Sequence, residues 1–228
     1  MKTNLKNDKG FTLIELLVVI TIIAILATVA TPMIGKARVT ARMIPATKNV
    51  GSIITSMVMY SGEYGGLYPE ATGSSNAAFR QLFPDECDSE KIFYIQGDRT
   101  FCDPKSAPDE EYGEKDGEDT GQALEAGENH WAYVSGLTDS NKGSTPVVAD
   151  GFTGDGFAYD DKNHVWAQPN KAIVGFLDGS TVAIKLKNGE IIAPNGGNYF
   201  EIEAIKEDEN VEVLNPLKRR KPAGGEEA

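Results

Sequence analysis

The sequence is poor in the residues that carry most enzyme chemistry, with two histidines, two cysteines and two tryptophans in 228 residues. It lacks a Gly-x-Ser-x-Gly nucleophile turn and a glycine-rich phosphate loop ahead of a helix, so no catalytic constellation is expected and the chain does not read as an enzyme. Cys87 and Cys102 are too far apart for a Cys-x-x-Cys redox motif. Together with His130 and His164 they do not readily supply the four ligands of a zinc site. A basic surplus is also missing: 22 Lys and Arg face 34 Asp and Glu, for a net charge of −12. That argues against a broad cationic face for gripping nucleic acid. No internal repeat occurs, which excludes a solenoid. A mean hydropathy of −0.30 excludes a polytopic membrane protein.

What is present is a sharp segregation of charge. Residues 1–10 carry a net +2, residues 36–62 carry four bases and no acid, and residues 63–228 carry a net −17. Between Phe11 and Gly35 the only ionisable side chain is Glu15. Leu16 to Gly35 is an unbroken run of 20 uncharged residues. As a helix it would cover about 30 Å, one hydrocarbon core. A secretory signal would also show a basic start, an apolar centre and small residues such as those near Thr28-Val29-Ala30. Glu15 argues against it, because a charge inside a membrane costs about 2.5–3.5 kcal/mol and is kept where something pairs with it.

The stretch Lys9-Gly10-Phe11-Thr12-Leu13-Ile14-Glu15-Leu16-Leu17-Val18-Val19-Ile20 resembles the start of type IV pilins and of type II secretion pseudopilins. The resemblance implies cleavage by a prepilin peptidase between Gly10 and Phe11 and N-methylation of the new Phe11 amine, with the apolar segment kept on the mature protein. It further implies that Glu15 of one subunit neutralises the Phe11 amine of a neighbour during filament assembly, through attraction of several kcal/mol at low dielectric. Pro32 matches a proline of many pilins, where the helix stretches in the filament. The alternative is that Pro32 only ends the membrane span. The implied placement is the inner membrane, single-pass with the N-terminus in the cytoplasm, and a periplasmic or extracellular filament after assembly. The implied partners are further copies, other pseudopilins, the peptidase and an inner-membrane assembly platform. A second class of reading is a signal-anchored periplasmic ligand-binding domain that does not polymerise.

The fold class implied is α+β, a long N-terminal helix packed on a C-terminal antiparallel sheet domain of pilin type. The division is leader 1–10, helix 11–61, body 62–215 and flexible tail 216–228. After Pro32 the helical period continues through Met43, Thr47, Val50, Ile54, Met57 and Ser61, widened by Ile44, Ile53, Val58 and Tyr60. Pro45 predicts a second kink or break. Three glycines between Gly62 and Gly66 end the helix. In the body, 76–83 reads as a short helix capped by Asn76, and 91–95 as a strand. Residues 103–128 are acidic and glycine-bearing, a loop. Residues 130–135, 146–149, 171–177 and 180–186 read as strands, the last two joined by a hairpin turn at Asp178-Gly179. Asn188-Gly189 marks a further turn before 190–193. Phe176-Leu177-Asp178-Gly179-Ser180-Thr181-Val182 resembles a strand–turn–strand near the end of many prepilin-type proteins. Many of those carry a histidine ten positions before the Asp, where this chain has Gln168.

For an exported domain, a Cys87–Cys102 disulfide is expected. Calcium is the one cofactor the acids suggest, with Asp116, Glu118, Asp119, Asp150 and Asp155 as candidate ligands on glycine-bearing loops. Neither stretch has EF-hand spacing, and a solvated acidic surface is the competing explanation.

Overall fold

A computed structural model describes residues 11–105, 108–112, 122–201, 205 and 210–219. The leader, Gly10, and the acids Asp116, Glu118 and Asp119 lie outside the described residues.

The chain is α+β: one long helix followed by a five-stranded antiparallel sheet. Helix α1 runs Leu13–Glu63. Its first half is rich in β-branched residues, which gain little from intrinsic helix propensity. A helix is nonetheless the form that satisfies every backbone group without water. The hydroxyls of Thr21, Thr28 and Thr31 donate back to the carbonyls of Leu17, Ile25 and Ala27 at 2.7 Å, so they too are satisfied within the helix. The helix passes through positions 32 and 45 without interruption, so the break expected at Pro45 is absent. Pro45 is exposed while Met43, Ala46 and Val50 beside it are buried. Packing on one face holds the helix through the lost hydrogen bond on the other. The end comes at Tyr64, whose N–H donates to the Tyr60 carbonyl at 3.0 Å. Gly65 and Gly66 follow with φ of 67° and 89°, where a side chain would be strained.

The second half of α1 supplies Met43, Ala46, Val50, Ile53, Ile54, Met57 and Tyr60 to the core. Ile44 and Val58, expected on that stripe, are exposed. They lie on the far side of a narrower apolar arc. Strands β1 (Trp131–Ser135), β2 (Pro146–Asp150), β3 (Lys171–Phe176), β4 (Thr181–Lys185) and β5 (Glu212–Leu214) stand in the order β4-β3-β2-β1-β5. Helix α1 lies against β3, β4 and β2. Every residue of β1 and β2 is buried, so the centre of the sheet is covered on both faces. The β3–β4 hairpin turns at Asp178-Gly179 as the sequence predicts, with Gly179 at φ 82°.

Elsewhere the local readings are corrected. Helix α2 spans Ser75–Phe79 and tightens into a 3₁₀ turn at Arg80–Leu82. Asn76 is inside it, buried, its amide donating to the Leu124 carbonyl at 2.7 Å rather than capping. Residues 91–95 are not a strand: Glu90–Ile92 forms a 3₁₀ turn. Residues 190–193 form only isolated bridges, Glu190 to Ala158 and to Lys187 and Ile192 to Asn198. The tail is docked at its start, where Leu217 N–H donates to Asn76 Oδ1 at 2.9 Å and Arg219 N–H to the Thr100 carbonyl at 3.3 Å. Residues 220–228 lie outside the described part.

Candidate functional site

The sequence singles out the start of α1, and there the structure brings two of its residues together. Thr12 is the N-cap, in extended conformation, and Glu15 stands at N3. The Glu15 N–H donates to Thr12 Oγ1 at 3.3 Å. In return Glu15 Oε2 accepts from the Thr12 N–H at 2.8 Å and from the Thr12 hydroxyl at 2.7 Å. This reciprocal capping box satisfies orphan donors of the first turn, and an acid there also complements the helix dipole. Phe11, immediately before it, is 75% exposed. The apolar window of α1 is long enough to cross a membrane, and none of its residues is buried against the rest of the chain. About 30 Å of bare apolar helix calls for a covering medium: lipid, or other helices of the same kind.

Among the described residues, Cys87, Cys102, Asp150 and Asp155 do not form one donor group. Cys87 and Cys102 are free thiols, both buried, which corrects the expected disulfide. Each sulfur has a different neighbour: the Cys87 thiol donates to the Ser89 carbonyl at 3.5 Å, and Cys102 Sγ accepts the Ile95 N–H at 3.4 Å. Burial pushes both thiols up, Cys102 well above its ordinary value. Asp155 is exposed and belongs to no three-residue donor group among the described residues. Asp150 is buried, and both its carboxylate oxygens take hydrogen bonds from within the chain. Its Oδ1 takes the Trp166 indole N–H at 2.9 Å and its Oδ2 the Ile173 N–H at 2.6 Å.

Asp150 belongs instead to a buried network that sequence reasoning missed. His130 Nε2 is 2.7 Å from Asp150 Oδ1, and His130 Nδ1 is 2.6 Å from Asp98 Oδ2. Burial alone would lower the imidazole's pKa. The Asp98 charge and the hydrogen bonds to both carboxylates outweigh it and raise it to about 9. With a proton on each ring nitrogen, His130 donates to Asp98 on one side and to Asp150 on the other. Burial works to raise Asp98, yet the His130 charge and the Thr100 and Phe101 amides hold it low. This is an internal brace between β1, β2 and the turn at 98–102.

A second acidic group, Glu90, Asp109 and Glu128, brings three carboxylates within 4.8 Å. Glu90 accepts the Leu124 N–H at 2.7 Å and the Glu110 N–H at 3.0 Å. Burial, then the neighbouring Glu90 charge, raises Glu128 to about 7. Near the hairpin turn, Phe176, Asp178, Ser180, Asn195 and Tyr199 line an open cleft of about 470 Å³. Gln168 is exposed, and the buried His164 bonds the Lys171 carbonyl at 2.7 Å.

No curated protein and no solved structure matches the chain. The family description that does match is the prokaryotic N-terminal methylation motif, over residues 5–31, which takes in Gly10, Phe11, Thr12 and Glu15 and most of the bare apolar half of α1. The chain carries that motif, and the motif supports a type IV pilin-like or pseudopilin subunit, compatible with an inner-membrane anchor.

Proposed function

We propose that the chain is a non-catalytic structural subunit of a type II secretion pseudopilus or a type IV pilus-like filament. Prepilin peptidase cuts after Gly10 and methylates the Phe11 amine. The subunit rests in the inner membrane with its N-terminus in the cytoplasm and its acidic body on the periplasmic side. It then leaves the bilayer by packing α1 against the helices of further copies and of other pseudopilins on an assembly platform. In the filament Glu15 exchanges its hydrogen bonds to Thr12 for the Phe11 ammonium of a neighbour, a stronger, charge-assisted partner.

The observation that carries this reading is the methylation motif on a helix whose membrane-length apolar window is not buried by its own chain. Mass spectrometry of the mature N-terminus tests it. A chain beginning at N-methyl-Phe11 is the expected result; a chain beginning at Thr31 would mark an ordinary secretory signal and overturn it. The cleft beside the β3–β4 turn favours one other reading, a membrane-anchored ligand-binding body that stays monomeric. Absence of filaments when the chain is produced with a complete assembly system would decide for that one.

A further inference from the structure

The fold rearranges the metal-ligating residues that the sequence leaves scattered. Cys87 and His164 go to other places, while Asp98 joins Cys102 and His130. The donor atoms of these three lie within 4.8 Å of one another. All three residues are buried, Cys102 to 0% exposure and Asp98 and His130 to 2%.

Two features separate this group from a chance cluster. The donors are a carboxylate oxygen, a thiol sulfur and an imidazole nitrogen, the mixture that suits zinc. Each is already aimed by a group behind it, as the outer partners of a metal ligand do. His130 Nε2 is held by Asp150 Oδ1 at 2.7 Å. Asp98 Oδ1 accepts the Thr100 N–H at 2.8 Å and the Phe101 N–H at 3.3 Å, which leaves Oδ2 facing His130. Cys102 Sγ accepts the Ile95 N–H at 3.4 Å.

We propose that Asp98 Oδ2, Cys102 Sγ and His130 Nδ1 bind Zn²⁺ as its three protein ligands, with a water completing the tetrahedron. One ion enters and two protons leave, the one between His130 and Asp98 and the one on the thiol, with no change of oxidation state. A tetrahedral ion with ligands at about 2.0–2.3 Å spaces its donors about 3.3–3.7 Å apart. The 2.6 Å separation of Nδ1 and Oδ2 therefore opens by about 1 Å on loading. The ion cross-links the turn at 98–102 to β1, and through Asp150 to β2. It supplies the covalent-like tie that the unpaired cysteines do not.

The test uses the full chain purified in detergent. Grown with sufficient zinc, it should carry about one equivalent of the metal, as measured by elemental mass spectrometry. Grown in cobalt-supplemented medium, it should show the near-ultraviolet thiolate-to-cobalt charge-transfer band. Cys87→Ser should keep that band, and Cys102→Ser and Asp98→Asn should lose metal at least tenfold. Metal-free wild-type protein, a cobalt spectrum without the thiolate band, or a band lost in Cys87→Ser would each overturn the proposal. The wild-type and Cys87→Ser spectra decide it even if Cys102→Ser fails to fold.

Discussion

Gly175 of β3 meets Val50 of α1 with no room for a side chain between them. A Cβ at Gly175 would come within 2.5 Å of Val50 Cγ1 and 2.6 Å of Ile54 Cδ1. The missing side chain lets helix and sheet approach closely. Gly175→Ala should therefore cost about 1–3 kcal/mol in chemical denaturation. Adding Val50→Ala should recover part of it in a double-mutant cycle, because the two changes share one space. Additive losses would show that the helix does not press on the strand there.

The Asp150 carboxylate has a fixed donor on each oxygen, Trp166 Nε1 on Oδ1 and Ile173 N on Oδ2. An asparagine must turn its NH₂ toward one of them, whichever way it is flipped. Asp150→Asn should thus destabilise by about 3–5 kcal/mol, the size seen when one partner of a buried ion pair is removed. Thermal unfolding followed by near-ultraviolet circular dichroism reads this directly.

Glu128 gives the body a pH dependence of definite sign. Its folded pKa of about 7 lies above the ordinary 4.5. The folded state thus holds the proton more tightly, and stability falls as pH rises from the ordinary value through about 7. The difference in midpoint between wild type and Glu128→Gln should grow across that window and level off above it. A constant difference would mean that Glu128 stays ionised throughout.

Pro45 sits exposed inside α1 and removes one of its hydrogen bonds. Pro45→Ala should raise stability by about 1–3 kcal/mol in detergent, since the helix is already formed there. If stability drops, the proline has a role in the helix that a plain α-helix does not explain.

Glu15 is tied to Thr12 within one chain and, in the proposed filament, to its neighbour's amine. Glu15→Ala should leave membrane insertion intact, as measured by alkaline extraction, and stop filament growth, as seen by electron microscopy. Filaments of wild-type abundance would remove the pairing role.

Much of this was legible in the sequence, and the misses share causes. The period of about 3.6 from Met43 to Tyr60 and the bare run before it give α1 because one helix meets two very different environments. Asp178-Gly179 and Asn188-Gly189 give their turns because few residues tolerate the backbone they need. Residues 91–95, Lys-Ile-Phe-Tyr-Ile, look like a strand but are too few to decide between forms. There the Phe93 carbonyl takes the His130 N–H at 2.9 Å, and Phe93 is buried among aromatic rings. Strand β5 lies in an acidic stretch with little local preference and exists by pairing with β1. The brace around His130 was hidden because its partners lie 32 and 20 positions away. Two aspartates in an acid-rich chain carry no local mark of burial.

Because α1 is a single helix that starts outside the body and finishes within its core, the stalk and the interior are mechanically one part. Traction on Leu13 reaches β3 through Val50 and Ile54 without crossing a linker. A subunit hauled out of a bilayer by its stalk would bring its sheet along, and its resistance to rupture would be set by the helix–sheet seam rather than by any loop.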